Sequence, residues 1–160
     1  MRASIIRKTA SDLRVPPNLA DYDVERGRFS WDGAAAELGL GAGHPVNIGL
    51  LAVDRHLGTS VADRTALRFI ARDDRRRDLS YAELAALSNR FAAALRRLGV
   101  GRGEPVFLLA GRIPELYVAA LGALKNGSVV CPLFSAFGPE PIRTRLALGD
   151  ARVLVTTESL

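Results

Sequence analysis

The stretch Val129–Arg145, VVCPLFSAFGPEPIRTR, decides how the chain is read. It opens as a short apolar strand over 129–133, with a break at Pro132. It then crosses the small-residue loop Phe134-Ser135-Ala136-Phe137-Gly138 and enters a helix with Pro139, Glu140 and Pro141 in its first turn. Proline suits that turn because its missing N–H would have no partner there. Glu140 complements the positive end of the helix dipole. Strand, loop and helix N-terminus in this order make the carboxyl-end corner where open α/β sheets hold ligands. An ordinary βα connection without a ligand is the alternative.

The pattern repeats outward from this corner. Val106–Ala110 and Val153–Thr156 are apolar runs of strand length, and the first reads as a strand buried on both faces. Leu84, Leu87, Phe91, Leu95 and Leu98 recur at helical spacing, so residues 81–98 form an amphipathic helix. Ser80 and Glu83 supply its capping box, and Gly99, Gly101 and Gly103 end it. Pro114 and Glu115 open a further helix with Gly127 beyond its end. Ala66–Ala71 is another strand, the charged run 72–78 a turn, and Leu79–Tyr81 a possible return strand. Short apolar strands alternating with helices predict a parallel sheet with right-handed crossovers, in the order β-α-β-α-β-α-β.

The segment before residue 58 is different. Pro16-Pro17 breaks any early helix, and Ser30 caps a short helix ended by Gly39, Gly41 and Gly43. Asn47–Leu57 reads as one compact helix with Asp54, Arg55 and His56 on its polar side, His56 serving the C-terminal dipole. The fold class is therefore α/β: a helical N-terminal extension (1–57) followed by a partial, mostly parallel βαβ sheet (58–160). Because the chain stops just past a strand, the reading is that of the first part of a larger domain. An uncovered apolar face and a free edge would then favour self-association.

Composition narrows the function. The 160 residues are 48% hydrophobic with formal net charge +5, almost all of the positive charge from arginine, since lysine occurs only at Lys8 and Lys125. Arg72, Arg75, Arg76 and Arg77 cluster, but Asp73, Asp74 and Asp78 interrupt them, so nucleic-acid binding is not expected. A single cysteine, Cys131, allows no internal disulfide and suits a reducing cytoplasm. His44 and His56 have no partners at metal-ligand spacing, so no metal site is expected. No apolar run reaches membrane-spanning length, and no membrane association is expected. GxSxG, HExxH, CxxC and a glycine-rich phosphate loop after a strand are all absent, and no catalytic residue emerges. Arg143 and Arg145 could meet a phosphate, but spaced i, i+2 they point to different faces, and a solvated helix face is the alternative.

Seven short blocks, in order, resemble the N-terminal part of the acetate–CoA ligases (acetyl-CoA synthetases) of the adenylate-forming acyl-CoA synthetase family. They are Pro17–Tyr22 with Phe29–Trp31, Asn47–His56, Leu79–Leu84 with Ser88–Arg90, Gly103–Val106, Pro114–Tyr117, Gly122–Gly127, and Pro132–Phe137 with Arg145-Leu146. The resemblance implies an ATP- and Mg²⁺-dependent reaction. A carboxylate such as acetate becomes an acyl-adenylate, and coenzyme A then takes the acyl group as a thioester. It implies that Phe134, Ser135 and Ala136 border the coenzyme A adenine, in a loop where some relatives carry two glycines at the positions of Ser135 and Ala136. It also implies that the ATP-binding and catalytic motifs fall beyond Leu160, leaving these 160 residues inactive alone. A stand-alone module that binds coenzyme A or a protein without catalysis is the other reading.

Overall fold

A computed structural model describes residues 9–40 and 46–158, so Gly41, Gly43 and His44 lie outside the described residues. The chain divides into two compact units, Met1–His44 and Pro45–Leu160. The first contains α1 (Tyr22–Arg28) and α2 (Trp31–Glu37). Ser30 caps α2 as expected, its hydroxyl accepting from the Gly33 N–H. The sequence reading missed α1, although its signals are local. The Asp21 carboxylate accepts from the Asp23 and Val24 N–H groups, acidic residues fill the first turn, and Arg26 and Arg28 sit in the last.

The second unit runs α3 (Ile48–Ala52), β1 (Thr65–Ile70), β2 (Arg76–Ser80), α4 (Tyr81–Arg97), β3 (Pro105–Leu109), α5 (Pro114–Asn126), β4 (Val129–Leu133), α6 (Pro139–Leu148) and β5 (Val153–Thr156). The last three strands form a parallel sheet in the order β4-β3-β5. Side chains alternate across β3. Val106 and Leu108 pack with Leu95, Ala119 and Ala123 of α4 and α5. Phe107 and Leu109 face the opposite way, toward Ile142 and Leu146 of α6. Helices thus cover both faces of the central strand, which explains its uninterrupted apolar run.

Three expectations need correction. The 65–70 strand does not join the parallel sheet; it pairs antiparallel with β2, the return strand expected at 79–81, which begins earlier, at Arg76. Residues 71–75 are too few for a parallel crossover, which needs a dozen or more. The charged run is therefore only partly turn, because Arg76–Asp78 lie within β2. Arg68 forks onto Asp78 across the hairpin at 2.7 and 2.8 Å, Arg75 pairs with Asp73, and Arg77 with Glu115. Secondly, Pro132 does not interrupt the strand, which spans 129–133 as expected, with Pro132 in register with Leu108. Its missing N–H is tolerated because β4 is an edge strand among those described.

The third correction concerns 47–57, which is not one helix. Asn47 caps α3, and the backbone breaks at Val53 before a 3₁₀ turn, Asp54–His56. The break sends Val53 into a second core with Leu79, Leu84 and Ala85. It also turns Asp54 inward, while His56 lies against the Tyr81 ring at 4.6 Å. Asp54 pairs with the ammonium of Lys125, whose side chain is 3% exposed. The other Lys125 donors reach Ser88 Oγ at 2.8 Å and Asn89 Oδ1 at 3.1 Å. Gly122, one turn earlier on α5, permits this closeness, since a Cβ there would stand 2.7 Å from the Ser88 carbonyl oxygen. Gly127 then ends α5 in the left-handed conformation at φ 79°.

At the amino end of the sheet Glu104 accepts from the Gly101 N–H and pairs with Arg152, tying the starts of β3 and β5 together. The Gly101 N–H first, and Arg152 second, hold its carboxyl below the usual carboxylate range.

Two outcomes are expected. Asp54→Asn strands the buried Lys125 charge and should cost about 3 kcal/mol in urea unfolding, whereas Asp54→Asn with Lys125→Met should recover much of it. An Asp54→Asn chain as stable as wild type would contradict the pairing. For Glu104, a depressed folded-state pKa gives stability that is complete above the unfolded value and is lost as pH falls through the folded one. Glu104→Gln should therefore be less stable than wild type at pH 7, and the difference should close on acidification below about pH 4. A pH-independent difference would contradict this linkage.

Candidate functional site

β4 ends at the buried Leu133, and the next four residues turn tightly, with the Phe137 N–H donating to the Phe134 carbonyl at 3.0 Å. This places Ser135 and Ala136 at an exposed corner and leaves the Phe134 ring 64% exposed. Phe134 meets Phe137 edge-to-face, with centroids 5.6 Å apart and ring planes at 85°. Such a pair is worth about 0.5–1.5 kcal/mol beyond its buried area. The Arg145 guanidinium lies 4.2 Å from the Phe137 centroid and donates to the Pro141 carbonyl at 3.0 Å.

The two candidate arginines are thereby separated. Arg143 makes three hydrogen bonds to Glu140, between 2.8 and 3.1 Å, which neutralise it locally. Only Arg145 stands on the loop side. Sequence spacing indicated that one arginine at most would serve the loop, but it gave no sign of the stacking on Phe137.

The start of α6 makes a poor anion cradle. Gly138 caps it without a side chain, and Pro139 and Pro141 carry no N–H. Glu140, between them, adds negative charge. The corner therefore suits a planar ring laid on Phe134 better than a phosphate held by backbone amides. The strand order places the topological switch point one strand away, between the carboxyl ends of β3 and β5. The cleft there, bordered by Ala110, Ile113 and Thr156, holds only about 50 Å³, far below the few hundred that a nucleotide needs. A groove of about 580 Å³ instead runs along α6 from Pro139, directly after the loop, past Ile142, Leu146 and Asp150. Among the described residues no three His, Cys, Asp or Glu side chains are placed to hold a metal ion, and Cys131 is a free, half-buried thiol. No described helix is long and apolar enough to cross a membrane.

The described residues thus form an open parallel α/β unit with an exposed aromatic loop at a strand's carboxyl end, the end at which such sheets hold ligands. The model of the AMP-binding enzyme family matches residues 54–160, and the chain belongs to that family. It is 36% identical over 146 residues to an acetyl-coenzyme A synthetase of Bacillus subtilis (strain 168), a match covering 89% of this chain and 25% of that protein. Among solved structures it resembles a Brucella canis acyl-CoA synthetase, with TM-score 0.73 and 33% identity over 86% of this chain and 25% of that one. A benzoate CoA ligase from Burkholderia xenovorans LB400 gives TM-score 0.63 and 27% identity over 72% of this chain and 22% of that one. The chain thus spans about a quarter of the length of the relatives it matches.

Proposed function

We propose that the chain is the N-terminal portion of an ATP-dependent acetate, or short-chain acyl, CoA ligase, acting in the cytoplasm through an acyl-adenylate. The helical segment 1–57 is its N-terminal extension, with α3 anchored on α5 by the Asn47 amide bond to the Leu124 carbonyl at 2.7 Å. Residues 58–160 are the first part of its large domain. The family match and the acetyl-coenzyme A synthetase relatives support the ligase reading.

The observation that carries the coenzyme A assignment is the geometry of 134–137. Phe134 offers an exposed face, and Ser135 and Ala136 place no bulk at the corner. An adenine could lie on the ring with its backbone-facing edge against the turn. When bound, coenzyme A supplies the thiol that receives the acyl group. This chain's part is to hold the nucleotide end of that cofactor. ATP and Mg²⁺ fit the described residues poorly: they show no acidic cluster for a metal and no glycine-rich cradle for phosphates. Adenylation is therefore not assigned to any residue here, and the chain alone is proposed to release no pyrophosphate from ATP and acetate.

Stacking on an aromatic side chain is worth about 1–3 kcal/mol per base. Calorimetric titration with coenzyme A should therefore show binding to the wild-type chain and a roughly 5- to 140-fold loss for Phe134→Ala, with the melting temperature little changed. Equal affinity of the two chains would contradict the assignment.

A further inference from the structure

We propose that Arg145 is a positioning residue for the ring that receives the base. It acts through Phe137 rather than on the ligand, and the inference rests on the coenzyme A reading of the loop. A mostly exposed phenylalanine is normally free to change rotamer, and a ligand that stacks on it must meet the cost of ordering it. Here the ring is braced from behind. Phe137 abuts Phe134 edge-to-face at 5.6 Å, and the guanidinium lies 4.2 Å from the Phe137 centroid. Arg145 is itself fixed by its bond to the Pro141 carbonyl, one helical turn earlier. Pro141 has its φ set by its own ring, so the anchor is stiff. The chain of contacts Pro141–Arg145–Phe137–Phe134 runs from the rigid first turns of α6 to the exposed face and orders that face before any ligand arrives. The planar fork is needed for this. A lysine ammonium keeps the charge but neither covers a ring face nor holds a fixed plane. Arg143 cannot substitute, because it is engaged with Glu140.

The test separates positioning from direct phosphate contact by titrating coenzyme A and dephospho-coenzyme A into wild type, Arg145→Gln, Arg145→Lys and, as a control, Arg143→Gln. Positioning predicts that Arg145→Gln weakens both nucleotides by the same factor, roughly 2- to 5-fold as for an exposed cation–π contact. It also predicts that Arg145→Lys restores only part of that loss and that Arg143→Gln changes neither. Loss confined to coenzyme A would show Arg145 touching the phosphate and would overturn the proposal, as would no loss at all. Ring signals of ¹³C-labelled phenylalanine supply a readout that needs no ligand: Arg145→Gln should shift Phe137 and Phe134 and leave Phe107 and Phe91 in place. If the wild type binds neither nucleotide, the coenzyme A reading fails by itself. An unmoved Phe134 signal in Arg145→Gln then overturns the positioning proposal separately.

Discussion

A lysine ammonium with 3% of its side chain exposed cannot be buried unless every donor is met, and the second unit is arranged around meeting those of Lys125. Asp54, Ser88 and Asn89 come from two segments far from residue 125 in sequence, so the pairing fixes the 3₁₀ turn after α3, the middle of α4 and the end of α5 at one point. The Ser88 hydroxyl in turn donates to the Leu84 carbonyl at 2.6 Å, so it receives from the lysine without leaving its own proton unmatched. Gly122 is the steric counterpart of this electrostatic constraint, because any larger residue would press on Ser88 and Phe91. The blocks of sequence around Asp54, Ser88 and Gly122–Gly127 are among those through which the chain resembles its family. In this structure they hold α3, α4 and α5 together.

From that point the geometry propagates to the loop. α5, once fixed on α4, ends at Gly127, and Ser128 leads straight into β4. The Asn126 side chain bonds to the Val100 carbonyl and to Ser128, and the Val129 N–H bonds to the Glu104 carbonyl, so β4 starts level with β3. At the fifth paired position Leu133 lies opposite Leu109, and the chain leaves the sheet beside its core. The aromatic turn is therefore held from both sides, by the sheet register behind it and by α6 through Arg145 ahead of it. Preorganisation of this kind lowers the ordering cost that a ligand stacking on an exposed ring would otherwise meet.

Much of this was legible in the sequence because it is local. The apolar runs at 106–109 and 153–156 marked strands, Ser80 with Glu83 marked the start of α4, and the prolines at 114 and 139 marked two more helix starts. What was not legible depends on distant partners. The return strand after Ile70 was legible, but its early start at Arg76 and the separation of the hairpin from the large sheet rest on cross-strand pairs such as Arg68 with Asp78. Asp54 sits in a polar run, Asp54-Arg55-His56, and nothing nearby distinguishes a solvated carboxylate from one turned toward a lysine 71 positions later. At the site, the loop was located by the order strand, loop, helix start, and the roles of Phe134, Ser135 and Ala136 came only from the family resemblance. The role of Arg145 was not, because cation–π contacts between a loop and the second turn of the following helix have no fixed spacing.

The proposed stacking of a nucleotide base on Phe134 can be observed directly. All six phenylalanines lie in the described residues, so ¹³C-ring labelling reports the whole set at once during titration with coenzyme A. Stacking on Phe134 predicts saturable upfield shifts that are largest at Phe134, smaller at Phe137 and negligible at Phe29, Phe69, Phe91 and Phe107. Saturable shifts at any of those four with Phe134 unmoved, or no shift at any ring up to millimolar coenzyme A, would contradict it.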